Sequence, residues 1–238
     1  MAAFMAASAW AQSSKAVFGY NEVIALIKTQ SVAGTGETGW INIMTVFLKT
    51  ANNKDLVITP SLQCGVVTDG TVKSKGGGSN STTTRGRIRV RVRVELSDGT
   101  EKFAEPSQGV DATAADDGAI TNADLIEGIT YCDRVQTLEA KFAGLNCTAD
   151  PITGVVTCAN PEELRLILKT LTASTFVFGL ADVLSGDTKI QIQAKALASV
   201  ALTGTDGSLG GSNAFIGAGS VSVEEVRWIK DLETDLSL

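Results

Sequence analysis

Residues 87–96 read RIRVRVRVEL, and no other stretch of the chain alternates so strictly. Ile88, Val90, Val92, Val94 and Leu96 fall on one side. Arg87, Arg89, Arg91, Arg93 and Glu95 fall on the other. A period of two marks a β-strand with one face in a core and the other toward water, whereas a helix would scatter both sets around its circumference. The stretch therefore predicts a half-buried antiparallel strand, ended by the turn residues Ser97-Asp98-Gly99.

The arginine side of that strand raises the question of nucleic acid, because five of the eight arginines lie between Arg85 and Arg93. The whole chain argues otherwise. Its net charge is −6 and its pI about 4.8, while phosphate affinity rests on unneutralised Lys and Arg. No aromatic residue interleaves with the arginines, as base stacking would need. From Glu95 to Glu139 there are eleven acids against two bases, Lys102 and Arg134. Opposite charges on facing strands stabilise a sheet by roughly 0.2–1 kcal/mol per pair. The expected reading is a structural ladder, with acids from this block or from a neighbouring subunit as partners, and no nucleic acid.

The remainder of the chain is also written for strands. It carries 24 Gly and only 4 Pro among many Val, Thr and Ser residues, a mixture that suits strands joined by Gly-rich turns. Strands are predicted over 16–29, 39–50 and 55–70, the last interrupted by Pro60, with the latter two read as a hairpin. Residues 71–86 and 204–219 read as Gly-rich loops. Residues 174–204 read as a long hairpin turning at Ser185-Gly186-Asp187. Asn160-Pro161-Glu162-Glu163 has the N-cap, N1 proline and first-turn acids of a helix start. Leu164, Ile167, Leu168 and Leu171 follow at helical spacing, so one short amphipathic helix is expected at about 161–172. Trp40 and Trp228 are assigned to the core. The expected fold is all-β, a jelly-roll-like antiparallel β-sandwich with that one helix, formed by residues 12–238 as a single domain. Residues 1–11 are apolar and end in the A-x-A-like Ala9-Trp10-Ala11, which reads as a signal-peptide remnant or a retained apolar segment. No stretch reaches the length of continuous apolar residues that a transmembrane helix requires.

The chain contains no His, which excludes Ser-His-Asp and Cys-His catalysis and His-ligated metals within one chain. There is no phosphate-binding or nucleophile-elbow motif either. Adjacent acids such as Asp116-Asp117 and Glu224-Glu225 would point to opposite faces of a strand, so neither pair is a ready-made acid/base site. The protein is read as not an enzyme and as needing no cofactor. Asp111, Asp116, Asp117 and Asp124 share an acidic loop that fails the EF-hand spacing but is a candidate for looser calcium binding. The four cysteines lack the close C-x₂₋₄-C pairs of zinc sites. They read as disulfides: Cys147 with Cys158 across the turn signal Asp150-Pro151-Ile152-Thr153-Gly154, and Cys64 with Cys132.

The layout resembles, as a class, secreted β-sandwich subunits of extracellular fibres and matrices. That resemblance implies polymerisation by donation of a terminal strand to a neighbour's sheet. The candidate donor carries Val17, Tyr20, Val23, Ile24 and Leu26. The expected function is a secreted, non-enzymatic structural protein that forms a homo-oligomer or polymer at the cell surface or beyond it. The alternative is a monomeric adhesin-like or ligand-binding sandwich using loops 71–86, 104–124 and 204–219.

Overall fold

The structure, a computed structural model, describes residues 15–21, 26–51, 54–73, 79–107, 126–141, 147–158, 163–203 and 208–227. Short strands β1 (Ala16–Asn21) and β2 (Leu26–Gln30) run one after the other along one side of β15 (Leu209–Val226). The other side of β15 pairs with β5 (Lys54–Lys73) over nearly its full length. Beyond β5 lie β12 (Glu163–Thr175) and β13 (Phe178–Val183), again end to end, with β8 (Glu105–Pro106) against β13. The second sheet repeats this plan. β3 (Gly34–Glu37) and β4 (Ile41–Thr50) flank β14 (Gly186–Thr203), β14 pairs with β6 (Ser79–Glu95), and β6 pairs with β9 (Ile129–Lys141) and β7 (Glu101–Phe103). All these pairings are antiparallel. A separate hairpin, β10 (Cys147–Ala149) with β11 (Val156–Cys158), lies in the connection from β9 to β12.

Counted along the chain, the long rows take the spatial orders 1-8-3-6 in the first sheet and 2-7-4-5 in the second. That interleaving is the double Greek key of a jelly roll. It follows that β4 with β5, and β13 with β14, are not hairpins. Each connection crosses from one sheet to the other, so chain neighbours face each other across the core. The core is the facing pair of apolar sides: Ile88, Val90, Val92 and Val94 from β6 and Ile190 and Ile192 from β14 meet Leu56, Ile58, Ile216 and Phe178 of the first sheet. The alternation of β6 is realised as read, each Val or Ile buried and each Arg facing outward.

Residues 163–175 are strand, not helix. The ladder to β5 runs unbroken from Glu163↔Lys73 to Thr175↔Ser61. The reason is tertiary. Ile167, Thr170, Thr172 and Thr175 tolerate either state, and a central strand left unpaired would bury its own N–H and C=O groups without partners. Residues 79–86 and 209–219, read as loop, are strands as well. Their glycines pack where a larger side chain would not fit: a Cβ on Gly86 would sit 2.5 Å from the Val66 side chain, and one on Gly210 would sit 2.5 Å from that of Val200. Pro60 lies inside central strand β5, a place proline usually avoids. It is tolerated because its missing N–H falls where β12 gives way to β13, and its carbonyl still accepts from Phe176 N at 3.3 Å.

Asp111, Asp116, Asp117 and Asp124, the donor candidates Val23 and Ile24, Trp228, and residues 1–11 lie outside the described residues.

Candidate assembly edge, charged face and inter-sheet cleft

The outer face of the second sheet carries the arginines. Arg85 and Arg87 both pair with Asp133 on β9, Arg89 with Glu127, and Arg93 with Glu101 on β7. Arg91 donates to Gln193 Oε1 at 2.8 Å and to the Ile126 carbonyl at 2.7 Å. Glu127 also takes Lys195 of β14 at 3.2 Å. All three carboxylates on the arginines come from the acidic stretch that follows β6 in sequence. They reach the face because β7 and β9 lie beside β6. Arg89 and Lys195 are only 16% exposed in their side chains, so salt screens these pairs less than open surface pairs. Gly128 sets this edge. Its φ of +65° takes the chain into β9 directly after Glu127, and a Cβ there would lie 2.4 Å from the Val90 carbonyl.

Aromatic residues do reach the arginines, but from other strands. Trp40 lies 4.3 Å from the Arg91 guanidinium, and Phe103 lies 4.8 Å from it on β7. Trp40 is therefore not in the core; it roofs the charged face. Burial under these rings holds the Arg91 guanidinium below its usual pKa. Phe103 arrives by the short β6–β7 pairing, Arg93 opposite Phe103, whereas Trp40 comes from the far side of β14, and nothing local in the sequence announces it.

Cys64 and Cys132 form a disulfide that ties the central strand β5 of one sheet to the edge strand β9 of the other, with Cα atoms 6.5 Å apart. Cys147 and Cys158 stand opposite each other in the β10–β11 register, as a bridge across that hairpin requires. Beside the Cys64–Cys132 bond the two sheets part between β9 and β12, leaving a cleft of about 310 Å³ lined by Cys64, Val66, Tyr131, Arg134, Thr170 and Thr172. Tyr131 is buried beside it. Its hydroxyl donates to the Pro60 carbonyl at 3.1 Å, and burial pushes its pKa well up. Arg134 has no acceptor among the described residues, which sets it apart from the ladder arginines. Farther along, Thr68 Oγ1 donates to Gln136 Oε1 at 2.5 Å and Gln136 Nε2 donates to the Leu166 carbonyl at 3.0 Å, a chain joining β5, β9 and β12.

Strand β12 is the outermost row of the first sheet along this side. Its inner edge is bonded to β5, and no described strand pairs with its outer edge. Leu164, Leu166, Ile167 and Leu171 are all exposed, Leu171 at 58%. A long edge strand with large apolar side chains is what monomeric proteins usually avoid, since it is a template for another strand. The other 13-residue outer strand, β9, exposes only Val135 of its large apolar side chains.

The candidate donor segment is docked in its own chain. Val17 pairs with Val223 and packs on the core, while Phe18 and Tyr20 point outward, 65% and 69% exposed. Leu26 begins β2 opposite Ile216. Among the described residues no group of three or more His, Cys, Asp or Glu side chains could hold a metal ion, and no helix is long and apolar enough to cross a membrane.

No family model matches this chain, and no curated protein matches it significantly. Solved structures do. That of the infectious bursal disease virus Gx strain is 9% identical with a TM-score of 0.22, over 90% of this chain and 40% of the other. That of the Gt strain is 11% identical with a TM-score of 0.16, over 95% and 47%. The VP2 subviral particle of the same virus is 9% identical with a TM-score of 0.15, over 99% and 48%. The chain spans less than half the length of each.

Proposed function

We propose that this protein is a non-enzymatic structural subunit that assembles with copies of itself outside the cell. The observation that carries the reading is β12: thirteen residues of sheet edge with four large apolar side chains in water and no described partner strand. The disulfide supports an oxidising compartment. The charged face supports a structural role over phosphate binding, because its arginines are already matched by Asp133, Glu127 and Glu101. Two routes lead to a polymer. Donation of β1 to a neighbour would first break a six-residue ladder and withdraw Val17 from the core. Pairing at β12 breaks nothing, so it is the route favoured here. Calcium binding by Asp111, Asp116, Asp117 and Asp124 would be compatible with either. Sedimentation velocity across a concentration series, with electron microscopy of the same sample, is expected to show concentration-dependent oligomers. Monomers at every concentration would rule the reading out.

A second reading, a ligand-binding sandwich, has one observation in its favour: Arg134, which has no acceptor among the described residues, lies in the cleft beside β12. It requires a small carboxylate-bearing ligand, held by the guanidinium and the Thr170 and Thr172 hydroxyls. On that reading a carboxylate panel raises the melting temperature of the native protein and not of Arg134→Gln. Equal response of both proteins would dismiss it.

A further inference from the structure

Resting on the self-assembly reading, we infer that β12 pairs antiparallel with β12 of a second copy about a two-fold axis at Leu166, joining two first sheets into one continuous sheet. Such an interface is isologous, so each pair occurs twice. In an antiparallel ladder, facing residues must both turn their N–H and C=O groups toward each other or both away. A two-fold between identical strands therefore centres on a residue, and only a few centres keep a useful length of β12 paired.

Charge selects among them. Centring on Arg165 sets that guanidinium against itself. Centring on Ile167 sets Arg165 against the partner's Lys169, and centring on Lys169 sets two ammonium groups together. Like charges directly opposite are destabilising. Centring on Leu168, Thr170 or Leu171 leaves no charge opposed or matched. Centring on Leu166 places Glu163 opposite the partner's Lys169, Leu164 opposite the partner's Leu168, Arg165 opposite the partner's Ile167, and Leu166 opposite the partner's Leu166. Two ion pairs then bracket a centre whose only charged residue, Arg165, is already held by Asp69, and the exposed Leu164, Leu166 and Ile167 are covered. Gln136 holds the Leu166 carbonyl from inside the sandwich, which fixes the strand at the proposed axis. Glu163 already lies 3.2 Å from Lys73 on the same face, so its carboxylate would be shared between Lys73 and the partner's Lys169.

Cysteine cross-linking of the full chain tests the register. Leu166 is exposed enough to be replaced without loss of core. Facing residues at a non-hydrogen-bonded position lie about 4.5 Å apart at Cα, within disulfide range. Leu166→Cys is expected to give a covalent dimer under mild oxidation and Leu168→Cys is not. A dimer from Leu168→Cys alone would overturn the assignment. Charge reversal gives an independent readout by sedimentation equilibrium. Lys169→Glu is expected to weaken dimerisation about tenfold, and Glu163→Lys in the same chain to restore it. Wild-type dimers that are indifferent to both changes would refute this register while leaving self-assembly standing. A wild type that never dimerises would remove both.

Discussion

Replacing Cys64 and Cys132 together by alanine is expected to lower the free energy of unfolding by about 4 kcal/mol, given a closed loop of 68 residues in sequence separation. The bond joins β5, the central strand of one sheet, to β9, an edge strand of the other. Without it the unfolded chain regains the freedom of the whole segment from Cys64 to Cys132. In the folded state the sheets also lose their covalent tie beside the cleft between β9 and β12. Equilibrium unfolding in urea should show a lower midpoint, and the slope should rise because the uncross-linked unfolded chain exposes more surface. An unchanged midpoint would mean that the bond contributes nothing to holding the sheets together.

Phe178→Ala is expected to cost about 3–5 kcal/mol. Phe178 heads the largest fully buried side chains at 1% exposure. It lies at the start of β13, opposite Ile58 on one side and Pro106 on the other. Two ladders end there, and at the β12–β13 junction Pro60 offers only its carbonyl, to Phe176 N, so the surrounding backbone is held by few bonds and cannot shift as a unit to close the cavity that alanine would leave. Collapse of the neighbours is hindered for the same reason. The check is the change in urea midpoint against wild type, and a loss under 1 kcal/mol would show that the site repacks.

The strand at Arg87–Leu96 could be read from its pattern alone, because alternation specifies both state and buried face without reference to any other residue. The all-β class followed in the same way from Val, Thr and Gly content. Residues 161–172 misled for a physical reason. Leu164, Ile167, Leu168 and Leu171 satisfy a helical stripe, yet Leu164, Leu166 and Leu168 also share one face of a strand. Only the unpaired edge of β5 chose between them. The Gly-rich stretches after 79 and 209 read as loops because glycine lowers strand propensity. In the fold, side chains of neighbouring strands take the space that larger residues would have filled, as Val66 does beside Gly86 and Val200 beside Gly210.

The same division separates the parts of the candidate site. The acids that neutralise the arginines were visible as a block, since charge balance needs no geometry. That Glu127 reaches Arg89, that Trp40 covers Arg91, and that β12 ends up on an open edge were not visible. Each depends on which of two sheets a strand joins. Local alternation tells a strand which face to bury but nothing about its neighbours, because backbone hydrogen bonding is the same for every partner. The crossing of successive strands between sheets, which puts 13 apolar-rich residues at an edge, came from burying both apolar faces in one core. That is a global condition, which no window of the chain contains.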